Sequence, residues 1–232
     1  VDVYRPGAPA GPAPIVVFFY GGFWKSGSRA EYRFAGYALA SRGFVAVVPD
    51  YRLYPDVEFP AFVEDAAAAV RWVQAHAAQL GGDPSRIYLM GHSAGAHIAA
   101  LLTLDERYLR TAGVPANAVR GTIGLAGIYD FLPLADSIRP VFGPTERWPD
   151  SQPIRFVDGT EPPMLLLHGT GDRVVSAGNS DRLAMRIRER GGRVESVVYP
   201  DASHARLVLA LLPFWQHSPP VLEAVASFIR DH

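Results

Sequence analysis

The sequence predicts an α/β fold: a mostly parallel central sheet with helices on both faces and a short lid-like insertion. Three observations carry that prediction. Apolar strand-like runs alternate with helical stretches along the whole chain. The runs at Ile15–Tyr20, Phe44–Val48, Ile87–Met90, Gly121–Ala126 and Met164–His168 are continuous rather than alternating, as strands buried on both faces are, and Val194–Tyr199 reads as a further strand. No linker or internal repeat divides the 232 residues, so residues 1–232 read as one domain.

Each element has its own signal. Val1–Tyr4 reads as a short strand and Arg5–Pro14 as a Pro/Gly/Ala-rich connection. Ser28–Arg42 is helical, with Phe34, Tyr37 and Ala38 on one face and Gly43 as its stop. Ala61–Ala78 is a long Ala-rich helix whose apolar stripe runs through Phe62, Ala66, Val70, Val73 and Ala77. Gly81-Gly82-Asp83-Pro84 breaks it. Residues 129–161 are proline-rich and aperiodic, and a long loop of this kind in a compact domain is often functional. Ser176–Arg190 and Pro219–Arg230 are amphipathic helices.

Composition excludes several function classes. The net charge is −1 with no basic block, which points away from nucleic acid and anionic membranes. There are no cysteines, hence no disulfides, thiolate chemistry or Cys-ligated metal. The longest apolar runs are too short to span a bilayer. No leader is visible and a cytoplasmic location is expected, although the chain starts at Val1 rather than Met and upstream residues are expected to have been removed or left out. Neither a cofactor nor a metal is expected, because no histidine pair combines with carboxylates at a ligand spacing. The oligomeric state, monomer or homodimer, is left open.

The chemistry centres on Gly91-His92-Ser93-Ala94-Gly95. It follows the apolar run 87–90 and precedes the helix-like stretch 96–102, the strand–turn–helix context this pentapeptide needs. Alone it also fits a glycine-rich turn that merely starts a helix. In a parallel sheet, ligands gather at the carboxyl ends of the strands. Gly21-Gly22, Ser93, Asp172 and His204 each lie just past such an end. A serine needs a base to take its proton, and a carboxylate behind the base fixes its tautomer. Ser93, Asp172 and His204 occur in the order nucleophile, acid, base. His168 is the best rival base, and Asp201 and Asp181 compete with Asp172 as the acid. The backbone N–H groups of Gly22, Phe23 and Ala94 are the expected oxyanion donors.

These motifs together resemble the α/β-hydrolase superfamily. Within it, Tyr20-Gly21-Gly22-Phe23-Trp24 with Gly91–Gly95 resembles the small carboxylesterases and the kynurenine formamidases related to the hormone-sensitive lipase group. The resemblance spans essentially the whole chain, including Asp2-Val3-Tyr4, Pro49-Asp50-Tyr51-Arg52-Leu53, Gly82-Asp83-Pro84 and His168-Gly169 with Asp172. It implies a cofactor-independent hydrolase of small ester or formyl amide substrates. There are departures. The oxyanion motif usually begins with histidine, where this chain has Tyr20, whose hydroxyl can replace that hydrogen bond. Phe23 stands where lipase-like relatives have glycine, which tilts the resemblance toward formamidases and should narrow the alcohol side. Relatives also carry a further segment before Asp2 that contributes to the lid. Trp24, His92 and Trp148 are the expected substrate-binding residues, with Tyr54 and Phe131 as further aromatics for an aryl group. The competing functions are a short- or medium-chain esterase, an arylformamidase and a catalytically silent binding protein.

Overall fold

Ile15, Val16, Val17, Phe18 and Phe19 are all fully buried, so both faces of this strand are covered, as its unbroken apolar run requires. The structure, a computed structural model, describes residues 1–7, 11–115, 117–215 and 218–232. Seven strands form one sheet: β1 (Asp2–Tyr4), β2 (Ala13–Phe19), β3 (Val45–Val48), β4 (Gly82–His92), β5 (Val119–Leu125), β6 (Met164–Gly169) and β7 (Val194–Tyr199). Their spatial order is β1-β3-β2-β4-β5-β6-β7. Only β1 is antiparallel to its neighbour; every other pairing is parallel.

The helices are α1 (Arg33–Ser41), α2 (Ala61–Leu80), α3 (Ala94–Leu104), α4 (Glu106–Thr111), α5 (Gly178–Glu189), α6 (His204–Leu209) and α7 (Val221–Asp231). Successive side chains of a strand point to opposite faces. Tyr88 and Leu89 in β4 are both fully buried, and the Tyr88 hydroxyl donates to the Ile229 carbonyl of α7 at 3.2 Å. α3 is apolar all round, with ten of its positions buried, so it lies inside the molecule rather than on it.

The first helix is shorter than its periodicity predicts. Residues 28–32 form turns instead, because Arg29 is drawn to Asp2 and Asp50, with N–O distances of 3.0 and 2.6 Å. Gly81 ends α2 in a left-handed conformation, φ 80°, and its N–H reaches the Ala77 carbonyl. Gly82 already pairs with Ala13, so β4 starts well before the apolar run that marks it in the sequence. The segment expected as a loop over 129–161 holds three short 3-10 helices, Arg139–Phe142, Thr145–Ser151 and Pro153–Phe156. It is tied down by side chains: Asn179 Oδ1 accepts from the Tyr129 and Asp130 N–H groups, and Gln152 Oε1 accepts from the Phe131 N–H.

The strand order places the site. β2 has β3 on one side and β4 on the other, which makes the β2/β4 seam a topological switch point where a crevice opens. Phe19 pairs with Gly91, His92 with Leu125, and Gly169 with Tyr199. The parallel strands therefore end close together, and the loops after β2, β4, β6 and β7 share one edge.

Candidate active site

Ser93 sits between β4 and α3 with φ 55° and ψ −119°, a conformation that strains any residue with a Cβ. Backbone bonds on both sides hold it there. Its N–H donates to the Leu125 carbonyl at 2.9 Å, and its own carbonyl accepts from the His97 N–H at 3.1 Å. The flanking glycines are required by contact. A Cβ on Gly91 would overlap the Gly95 backbone, and one on Gly95 would overlap the Phe19 carbonyl. Helix α3 thus packs its first turn directly onto the end of β2.

The loop after β2 lies against this turn. A Cβ built on Gly21 would stand 3.1 Å from the Ser93 Cβ. Gly22 has φ 136°, and Phe23 and Trp24 follow at 56° and 59°. The Gly22 carbonyl accepts from the N–H groups of Lys25 and Ser26. Among the described residues, neither the Gly22 nor the Phe23 N–H donates to a backbone carbonyl. The Tyr51 hydroxyl donates to the Tyr20 carbonyl at 2.8 Å, and the two rings stack at 4.6 Å. The Tyr20 phenol does not brace the loop as its hydroxyl was expected to. It faces Asp50, and burial together with that carboxylate raises its pKa. Tyr51 holds the loop instead, through a contact that the sequence motif around it does not signal.

Asp172 and His204 come from the loops after β6 and β7. His204 Nδ1 lies 2.7 Å from Asp172 Oδ2. A carboxylate only accepts, so Nδ1 carries the proton and Nε2 keeps its lone pair. Asp172 Oδ1 accepts from the Val174 and Val175 N–H groups at 2.9 and 2.8 Å. Burial pushes the Asp172 carboxyl up, but the Val175 N–H, the His204 ring and the Val174 N–H outweigh it, and its pKa falls below the usual value.

His92, the residue before Ser93, bridges the two halves of the site. Its ring lies 4.7 Å from the His204 ring, and its Nε2 donates to the His204 carbonyl at 3.2 Å. Burial and the neighbouring His204 lower its pKa to about 3, so it is neutral near pH 7. It is 5% exposed and faces His204 rather than open solvent.

The other expected residues fall elsewhere. Trp24 is fully buried, stacked between Phe62 and Phe131 with centroids at 6.2 and 6.1 Å. The expectation that it contacts substrate is corrected on this ground: both of its faces are already covered. The Trp148 indole N–H donates to the Gly143 carbonyl at 3.0 Å and the Arg139 guanidinium lies over its ring, so it folds the insertion upon itself. Tyr54 is half-buried with the Lys25 ammonium over its ring. Phe23 is 45% exposed on the loop beside Ser93.

Among the rivals, His168 is fully buried with both ring nitrogens engaged. Asp201 is exposed on a turn at φ 56°, and Asp181 is exposed in the first turn of α5. His97 is buried one turn below Ser93, its Nε2 donating to the Ser151 carbonyl at 2.8 Å. His76 stacks on Trp72, and His232 faces Glu195. His217 lies outside the described residues.

Known proteins resemble this chain in sequence and in fold. A probable isoprenylcysteine alpha-carbonyl methylesterase of Arabidopsis thaliana is 30% identical over 90% of this chain and 49% of its own length. Esterase LipC of Mycobacterium tuberculosis is 31% identical over 100% of this chain and 62% of its own. The chain therefore spans about half to three-fifths of these relatives. Among solved structures, the apo form of Thermogutta terrifontis esterase 2 superposes with a TM-score of 0.84 at 30% identity, covering 99% of this chain and 88% of that one. The same esterase phosphorylated by paraoxon gives 0.83 at 29% identity, covering 99% and 87%. With the BD-FAE family model matching residues 1–187, and with this sheet order and strand–turn–helix at Ser93, the chain belongs to the BD-FAE family of α/β-hydrolases.

Proposed function

We propose that this chain is a serine carboxylic-ester hydrolase acting on short and medium acyl esters. The observation that carries the reading is the Asp172–His204 pair at 2.7 Å, set against the nucleophile turn through the His92 ring. Ser93 Oγ attacks the ester carbonyl carbon while His204 Nε2 takes its proton. The carbonyl oxygen gathers negative charge, and the N–H groups of Gly22, Phe23 and Ala94 receive it. His204 returns the proton to the departing alcohol, leaving an acyl group on Ser93. A water then repeats the sequence, giving up a proton to His204 and releasing the acid. Asp172 holds Nδ1–H throughout and stabilises the imidazolium without being protonated itself.

Several facts support an ester as the bond and a small acyl group as its acid part. The relatives named above are ester hydrolases. Thermogutta terrifontis esterase 2 has been solved with propionate and with butyrate bound. Of the aromatics expected to stack on an aryl formamide, Trp24 is fully buried between Phe62 and Phe131, which removes one contact that would favour that substrate.

The test is hydrolysis of p-nitrophenyl acetate, butyrate and octanoate, with N-formylkynurenine in parallel, for wild type and Ser93→Ala. The expected result is ester turnover that falls roughly 10⁶-fold in Ser93→Ala, as loss of such a nucleophile does. Faster turnover of the formyl amide than of any ester would move the reading to arylformamidase with the same residues. Equal rates for wild type and Ser93→Ala would overturn the catalytic assignment.

A further inference from the structure

His168 does not behave like an ordinary core histidine. It is fully buried at the end of β6, four residues before Asp172. Its Nε2 lies 3.0 Å from the Val175 carbonyl and 3.2 Å from Asp172 Oδ2. Both partners only accept, so Nε2 carries the hydrogen. Nδ1 then bears the lone pair, and it meets the Ser180 hydroxyl at 2.8 Å. Ser180 is itself fully buried in α5. Every polar atom along this line has a partner, and the line runs from α5 through His168 to the carboxylate.

We infer that His168, with its Nε2–H fixed by the Val175 carbonyl and its Nδ1 met by Ser180, is a positioning residue for the reaction: the positive end of that N–H lies 3.2 Å from the Asp172 oxygen that also holds His204. This rests on the serine hydrolase reading above. Asp172 then has three hydrogen-bond donors, the Val174 and Val175 N–H groups on Oδ1 and His204 on Oδ2, with His168 Nε2 a further polar contact on Oδ2 at 3.2 Å. The two histidines flank Oδ2, which limits how far the carboxylate and the His204 ring can drift together. An oxygen that faces the His168 N–H as well offers less negative potential to the His204 imidazolium than one facing His204 alone. The shortest of the contacts is the one to His204, consistent with His204 as the principal partner and His168 as the brace. The ionisable groups in this cluster are Asp172, His204, His92 and His168. Burial keeps His168 neutral, so it acts as a dipole and not as a charge.

The experiment exploits the reach of two amides. Gln at 168 can place its amide nitrogen where Nε2 stands, toward Asp172. Asn reaches only as far as Nδ1, toward Ser180. Full-length His168→Gln, His168→Asn and His168→Leu are compared with wild type and Ser93→Ala on p-nitrophenyl butyrate across pH 5–9, with circular dichroism to confirm folding. His168→Asn and His168→Leu should lose roughly 10- to 100-fold, the effect of one hydrogen bond to a charged group. The loss should fall on kcat with KM unchanged, and the acid limb of kcat/KM should move to higher pH. His168→Gln should restore most of the rate and return the limb toward its wild-type position. If His168→Leu does not fold, the Asn and Gln pair decides alone. Folded Asn and Gln variants with equal rates and an unmoved acid limb would overturn the inference while Ser93→Ala remained dead. Turnover surviving in Ser93→Ala would instead remove the reading on which it rests.

Discussion

Asp172 makes its bonds before any substrate arrives, as the acid role proposed for it requires. Its Oδ1 is held by two backbone donors and its Oδ2 by His204, so neither oxygen is free to rotate. A neutral amide at this position would present an N–H toward His204 Nδ1 and reverse the required tautomer. Asp172→Asn should therefore lose about 10⁴-fold in kcat with little change in thermal stability. Steady-state kinetics beside a melting curve checks this, and a loss of less than tenfold would contradict the assigned acid. The turn at Ser93 and the meeting of Asp172 with His204 were legible in the sequence because each of these residues follows a strand. The contacts of Tyr51, Ser180 and His168 were not, because they depend on which side chains meet across the loops. Tyr51 lies 31 residues from the carbonyl it holds, and spacing alone does not signal such a contact. Trp24 misled for a related reason. Its neighbours in sequence belong to the oxyanion loop, yet its ring turns inward to Phe62, Phe131, Phe142 and His97.

At the scale of elements, the loop after β2 and the turn before α3 form one unit. Gly95 brings the two backbones together, and Gly22 lets the loop turn back at φ 136°. A side chain at Gly22 meets two obstacles, because that φ strains an L residue and the Cβ would run into the Ser26 carbonyl. Gly22→Ala should shift the loop and misplace the N–H groups proposed as oxyanion donors, with a loss of about 10²–10³-fold in kcat, the worth of one such donor. A transition-state analogue such as an alkyl boronic acid should lose affinity in parallel while KM stays nearly constant. Unchanged kcat in a folded Gly22→Ala would place the oxyanion donors elsewhere. The long helices and buried strands were legible at this scale, since their periods are strong. α4 and α6 were not, because helices of six residues carry too few positions to show a period. The 3-10 turns of the insertion were hidden for a different reason. They are held by Asn179 and Gln152 side chains and by internal bonds, not by an apolar face of their own.

Across the whole molecule, buried neutral histidines link stability to pH. His92, His97 and His168 all have depressed pKa values, with burial as the largest cause, and His97 is lowered to about 4. The unfolded chain protonates these rings as pH falls through about 6.5 while the native state does not, so stability is full above that range and declines below it. Asp172 adds nothing to this window: its folded pKa is lowered, so its contribution is lost only in more acidic solution, as pH falls through that folded value. For His97 the decline reaches about 2 kcal/mol at pH 5. His97→Phe keeps an aromatic ring in the Trp24–Phe131–Phe142 cluster and removes the titrating group. Its melting temperature, even if lower at pH 7, should fall between pH 7 and pH 5 by about 4–8 °C less than that of wild type. Parallel slopes for the two proteins would show that His97 does not carry this dependence. Among the described residues, no helix is long and apolar enough to cross a membrane. The main apolar core gathers the buried strands and the helices packed on them.

The central claim is that Ser93 is the nucleophile, and covalent capture tests it most directly. Thermogutta terrifontis esterase 2 has been solved phosphorylated by paraoxon. The same reagent, added to this protein and followed by intact mass and peptide mapping, should leave one diethylphosphoryl group on Ser93 and abolish ester turnover in step with labelling. Ser93→Ala should take up none. A phosphoryl group on a different residue, or complete inactivation with Ser93 unmodified, would contradict the account.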